Sequence, residues 1–175
     1  MTEIDHASKL DRFVTARHRS ESLDDGVLFV CQYNVGRSQI AEALCHAQAM
    51  RLQVASAGLT VDSDGQSLRS YQQEHPQNYF TPDVMRSMGF DILKQRRRQV
   101  TPSIARAFRH VVCMAEKKAT PIWLVRHPGY VYWNVPDPGG RSYEETLATA
   151  HDIDGRVKDF ISREQESSHT CADAP

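Results

Sequence analysis

Apolar residues in this chain fall into short continuous runs separated by stretches of helical periodicity, which predicts an α/β domain. Val27-Leu28-Phe29-Val30 is bounded by Gly26 and followed by Cys31, as a strand buried on both faces requires. From Ser38 to Met50, Ile40, Ala43, Leu44 and Ala47 recur at helical spacing and predict a helix. Gln53 to Ala57 predicts a second short strand, closed by Gly58. Residues 60 to 80 are polar, contain Gly65, Pro76, Tyr71 and Tyr79, and predict a long loop of the kind that forms lids or binding walls. Thr81-Pro82-Asp83 opens a helix with a cap, an early proline and an acid, and Gly89 closes it; Thr101-Pro102 opens another. Val111 to Met114 and Tyr130 to Val135 predict the third and fourth strands. Ser142 and Glu145 have capping-box spacing before a last helix, whose apolar stripe is Tyr143, Leu147, Ala150, Val157 and Ile161.

Strands alternating with helices imply a parallel sheet covered on both faces, with ligands bound beyond the carboxyl ends of the strands. Cys31, Ser56 and Asp137 fall at or just past three such ends. The domain is expected over residues 26–163. Ahead of it, Ile4, Ala7, Leu10 and Val14 predict a helical extension over 1–25, and residues 164–175 read as a disordered polar tail.

A length of 175 residues fits one domain, and 40% hydrophobic residues suffice for its core. A net charge of −1 gives no electrostatic case for a nucleic-acid or membrane partner. Apolar runs reach only about five residues, far short of a membrane span. The charged start MTEIDHASKLDRF is unlike a secretory signal, and four unevenly spaced cysteines read as reduced thiols, so a cytoplasmic location is expected. The 8 histidines lack ligand spacing, so no metal site is expected. Arg96-Arg97-Arg98 reads as a solvated basic face.

The chemistry concentrates in CQYNVGRS, residues 31 to 38. A Cys-x5-Arg spacing proves little, and CHAQAMR repeats it at Cys45 and Arg51 inside an Ala-rich helical stretch. The first copy differs in context: it follows a strand, precedes a helix, and contains Asn34 and Gly36, which tolerate left-handed backbone. Such a loop can fold into a nest whose N–H groups converge on an anion, reinforced by the helix N-terminus. Gln32, Tyr33, Asn34, Val35, Gly36, Arg37 and Ser38 are the expected oxyanion cradle. A thiolate at Cys31 could attack phosphorus, with Arg37 matching two equatorial oxygens bidentately. Ser38 is expected to cap the helix and is a candidate partner of the sulfur. Asp137, between Pro136 and Pro138, is the candidate general acid and base.

CQYNVGRS, VASAG at 54–58, QRRRQV at 95–100 and VPDP at 135–138 occur in an order that resembles the low-molecular-weight protein tyrosine phosphatases and the arsenate reductases of the same fold. The resemblance implies a four-stranded parallel sheet in the order 2-1-3-4 with helices on both faces. It also implies Cys31 as nucleophile, Arg37 as oxyanion ligand, Asp137 as general acid, and Asn34, Ser38 and Ser56 as a loop-supporting network. No cofactor is implied beyond an external thiol, such as mycothiol or glutathione, if the reaction is arsenate reduction. The implied partner is a phosphorylated protein or a small phosphate or arsenate oxyanion. Tyr33, Gly36 and Gln39 depart from the usual phosphatase loop, and NVGRSQIAEA and YWNVPDPGG look more like the reductase branch. Gly139 stands where phosphatases generally carry an aromatic wall, so Tyr33, Tyr71 and Tyr79 become candidate substitutes. The segment 115–120, AEKKAT, lacks the cysteine pair of thioredoxin-coupled reductases. Three readings follow: a phosphate-monoester hydrolase, an arsenate reductase using an external thiol, and a non-enzymatic oxyanion or phosphopeptide binder.

Overall fold

A computed structural model describes residues 26–49, 52–77 and 79–172, with side chains through residue 166. Four strands, β1 (Gly26–Cys31), β2 (Gln53–Gly58), β3 (His110–Cys113) and β4 (Tyr130–Tyr132), form one parallel sheet in the order β2-β1-β3-β4. The helices are α1 (Arg37–Gln48), α2 (Leu68–Glu74), α3 (Thr81–Ser87), α4 (Pro102–Arg106), α5 (Ile122–Val125) and α6 (Tyr143–Ala172).

The apolar run of β1 is continuous because the strand is central and feeds both layers. Val27, Phe29 and Cys31 face a core completed by Ile40 and Leu44 of α1, Met85 of α3, and Ile153 and Val157 of α6. Leu28 and Val30 face the other core, with Ala105 of α4, Phe108 and Leu124 of α5. Full burial of side chains such as Phe29 and Leu28, each stabilising by about 1.5–3 kcal/mol, fixes the strand that carries Cys31.

The ends of several elements follow the sequence closely. Ser142 and Glu145 form the reciprocal box: Ser142 N–H donates to Glu145 Oε2 at 3.0 Å and Glu145 N–H to Ser142 Oγ at 3.2 Å. Thr101 Oγ1 accepts from Ile104 N–H at 3.2 Å to cap α4.

Other expectations need correction. Residues 60–80 are not all loop: Ser67 caps α2 by accepting from Ser70 N–H at 3.1 Å, and the fully buried Leu68 anchors it. β4 stops at Tyr132 because Trp133 turns into the core beside Phe29, with ring centroids 5.7 Å apart. The expected tail from 164 is helical through Ala172, since no Gly or Pro interrupts residues 156–172 and i,i+4 pairs such as Arg156–Asp152 and Lys158–Asp154 support α6. The helix expected over residues 1–25 lies outside the described residues. Among the described residues, no helix is long and apolar enough to cross a membrane.

Candidate active site

Cys31 ends β1, only 3% exposed, at the floor of a cleft, and Gln32–Gly36 carry the chain to the first turn of α1. Asn34 has a φ of 54°, the left-handed conformation expected of it. Gly36 does not: its φ is −120° and its ψ −103°, outside the left-handed region. Ser38 also departs from expectation. No side chain caps α1: the cap position is Gly36, and Ser38 is already inside the helix, with its Oγ 3.0 Å from Cys31 Sγ.

Every carbonyl from Cys31 to Gly36 accepts a hydrogen bond from the protein itself. Cys31 and Gln32 carbonyls take the N–H groups of Leu59 (3.0 Å) and Thr60 (2.9 Å), and Gly36 takes Ile40 N–H (3.0 Å). Side chains hold the middle three: Arg97 Nε and Nη2 donate to Tyr33 O, both at 3.3 Å, Gln39 Nε2 to Asn34 O at 3.1 Å, and Tyr79 Oη to Val35 O at 2.8 Å. With its carbonyls so engaged, this turn and the orphan N–H groups opening α1 have the makings of a nest in which an anion could be held.

A polar chain runs beneath the loop. Asn34 Nδ2 donates to Ser38 Oγ at 2.9 Å and to Ser56 Oγ at 2.8 Å, and Ser56 Oγ donates to Glu42 Oε2 at 2.5 Å. Arg98 N–H donates to Asn34 Oδ1 at 2.7 Å, which fixes the amide's orientation. With Ser38 Oγ accepting from Asn34, its own proton is free to donate to the Cys31 sulfur. Burial raises the pKa of Glu42 despite the Ser56 bond. Ser56 lies within β2 opposite Phe29, two residues short of the strand's end.

The basic run is not uniformly a solvated face: Arg96 is exposed as expected, but Arg97 turns inward. Arg97 is buried, paired with Asp62 at 2.7 Å, bonded to Gln66 Oε1 at 2.7 Å and seated over the Tyr71 ring. Arg96 O accepts from Gln39 Nε2 at 3.2 Å, so three consecutive arginines each touch the loop or its supporting residue. Their partners lie far away in sequence, which hid the arrangement.

Arg37 is buried across the cleft floor. Its Nη1 donates to Met114 O at 2.6 Å and Val135 O at 3.2 Å, its Nη2 donates to Asp137 Oδ2, and its Nε has no partner. Asp137 sits at the rim, its other oxygen accepting from Gly139 N–H at 3.0 Å. Tyr33, Tyr79, Phe80, Thr81, Pro138 and Gly139 complete the walls, while Tyr71 stands behind Tyr79 and does not line the cleft.

The sequence profile of the low molecular weight phosphotyrosine protein phosphatase family matches residues 26–169. The chain belongs to that family. Its fold is shared with the Erwinia amylovora tyrosine phosphatase AmsI (TM-score 0.66, 20% identity, covering 83% of this chain and 95% of that one). It is likewise similar to the arginine phosphatase YwlE of Geobacillus stearothermophilus (0.67, 20%, 83% and 96%) and to a thioredoxin-dependent arsenate reductase of Corynebacterium glutamicum (0.64, 25%, 92% and 72%). No curated protein sequence matches the chain.

As a low molecular weight phosphatase family member, the chain is of an enzyme family, and its other cysteines bear on which chemistry it runs. Cys45 is buried within α1, and burial pushes its thiol pKa up to about 12, so it is a poor thiolate. Cys113 is buried in the opposite core layer from Cys31. Among the described residues, no group of three His, Cys, Asp or Glu side chains is arranged to hold a metal.

Glu42, Gln39, Gly58 and Arg97 support the site in roles that the motif reading missed, whereas Tyr79, a candidate wall residue, lines the cleft and also holds Val35 O. Gly58 alone left a signal, a glycine closing a strand beside a loop. A Cβ there would lie 2.8 Å from Val61 Cγ2, 2.9 Å from Asn34 N and 3.0 Å from Tyr33 C. Two of those atoms are loop backbone and cannot move aside cheaply. Gly58→Ala is therefore expected to cost about 1–3 kcal/mol and to weaken phosphate binding. Thermal unfolding and calorimetric titration with phosphate check both; unchanged values would mean that the loop tolerates the displacement.

Proposed function

We propose that this protein hydrolyses phosphate monoesters, of the phosphotyrosine type, through a phosphocysteine at Cys31. One observation carries the reading: the loop carbonyls are all held by other groups, while Arg37, whose buried Nε has no acceptor, lines the same cleft as Cys31. An unsatisfied buried donor is costly, and an incoming oxyanion supplies its acceptor. A phosphoryl group can take Arg37 Nε and Nη2 through two equatorial oxygens, which displaces Asp137 from Nη2 toward the leaving oxygen.

In the first step, the Cys31 thiolate attacks phosphorus, the S–P bond forms and the P–O bond to the leaving group breaks. The protonated Asp137 carboxyl gives its proton to that oxygen. In the second step, a water attacks the phosphocysteine, loses a proton to the Asp137 carboxylate, and the S–P bond breaks to return the thiolate and release phosphate. The Ser38 hydroxyl stabilises the sulfur anion each time it leaves. No cofactor takes part.

Asp137→Asn is expected to slow turnover by about 10²-fold or more for poor leaving groups, and much less for para-nitrophenyl phosphate, whose phenolate departs unaided. A plot of log kcat/KM against leaving-group pKa should steepen. An unchanged slope would remove Asp137 from the acid role.

Gly139 favours a second reading. With no ring there, the cleft suits a small oxyanion, and an arsenate reductase drawing on an external thiol such as mycothiol or glutathione needs only Cys31. Metal-free hydrolysis of para-nitrophenyl phosphate, run beside arsenate-dependent oxidation of these thiols, tests both. Hydrolysis no faster than that of Cys31→Ser sinks the phosphatase reading; thiol oxidation in its place establishes the second. Oxyanion binding without either activity leaves a binding module.

A further inference from the structure

Tyr33 O and Val35 O lie on either side of Asn34, the loop residue with positive φ. One continuous set of side chains links them. Arg97 reaches Tyr33 O through Nε and Nη2, both at 3.3 Å, and its Cζ lies 4.7 Å from the centre of the Tyr71 ring. Tyr71 meets Tyr79 edge to face, with centroids 4.9 Å apart and an interplanar angle of 81°. Tyr79 Oη then returns to Val35 O at 2.8 Å. Asp62 and Gln66 hold the far side of Arg97, each at 2.7 Å.

We propose that Tyr79 and Arg97, joined through Tyr71, form a brace that positions the oxyanion loop, with Tyr79 setting the peptide between Val35 and Gly36. The proposal rests on the oxyanion-binding reading of the cleft. A planar trans peptide points its N–H opposite its C=O, so fixing Val35 O outward aims Gly36 N–H the other way. Burial pushes the ionisation of Tyr79 up, so its hydroxyl remains a donor. A donor held in place before substrate arrives needs no reorganisation in the transition state. The brace also ties Tyr79, which lines the cleft, and Tyr71 of α2 to the loop itself.

Tyr79→Phe removes the hydroxyl and keeps the ring against Tyr71. Tyr143→Phe is the matched control, losing one hydrogen bond, to Ser87 Oγ at 2.9 Å, away from the loop. Inorganic phosphate affinity by calorimetry, kcat/KM for para-nitrophenyl phosphate, and thermal midpoint are measured on the full chain. Tyr79→Phe should weaken phosphate binding and kcat/KM each by about tenfold, as loss of one well-placed hydrogen bond does, while its midpoint falls no more than that of Tyr143→Phe. Arg97→Lys, which keeps charge but loses the fork on Tyr33 O, should weaken both further. Phosphate affinity in Tyr79→Phe equal to that of Tyr143→Phe overturns the brace, as does a wild-type protein that binds no phosphate. A wild type that binds phosphate but does not hydrolyse the ester loses the phosphatase reading alone, and phosphate affinity then decides the brace.

Discussion

Cys31→Ser is expected to abolish turnover while leaving phosphate binding nearly intact. Serine is close in size and can keep a hydrogen bond to Ser38 Oγ, now 3.0 Å from the sulfur, so neither the loop nor the core under it has reason to move. The Ser38 hydroxyl and loop amides that favour a thiolate are far too weak to ionise an alcohol, and an alkoxide is a much poorer leaving group than a thiolate in the second step. The loss in kcat should reach at least about 10⁴-fold, the scale seen when a covalent nucleophile is removed. The oxyanion ligands are untouched: Arg37 and the loop amides do not depend on the sulfur. Steady-state kinetics and phosphate calorimetry on the same sample separate the two effects. Residual hydrolysis within tenfold of wild type would mean that water attacks the ester directly and that Cys31 is not the nucleophile. Lost phosphate binding with lost turnover would mean instead that the sulfur shapes the cradle.

The sheet and the motif residues were legible because they depend on local signals. A continuous apolar run before Cys31 marks a central strand, and all four strands fall where such runs are. Asn34, Ser38 and Ser56 come together because their positions relative to strand ends are fixed by the fold. The support of the loop was not legible in the same way. Arg97 looks like any member of a charged run; its burial is set by Asp62 and Tyr71, whose approach depends on α2 and on the path of residues 60–80. Ser38 carries the composition of a cap, yet the helix starts one residue earlier, at Arg37, which leaves its oxygen to two polar partners in a buried site. Gly36 likewise looked like a left-handed position and is not one. Sequence pattern thus identifies which groups do the chemistry more readily than which groups hold them.

Arg37→Lys tests whether shape or charge matters at the cleft floor. Lysine keeps the positive charge but offers a compact ammonium in place of a planar fork. In the wild type one guanidinium serves several directions at once: Nη1 binds the carbonyls of Met114 and Val135, Nη2 binds Asp137, and Nε waits without a partner. An ammonium cannot satisfy both buried carbonyls and also present two parallel donors to an oxyanion. Phosphate affinity is therefore expected to fall more than tenfold, and kcat by about 10²–10³, because the donors lost are those facing the charge that develops in the transition state. The release of Asp137 should fail as well. In wild type the oxyanion competes with the carboxylate for Nη2, but an ammonium can bind both. The dependence of kcat/KM on leaving-group pKa should then steepen in Arg37→Lys as it does in Asp137→Asn, and the double variant should lose less than the product of the two single losses. Strict multiplicativity in that cycle would mean that Arg37 and Asp137 act independently, and that their contact in the empty cleft has no part in the reaction.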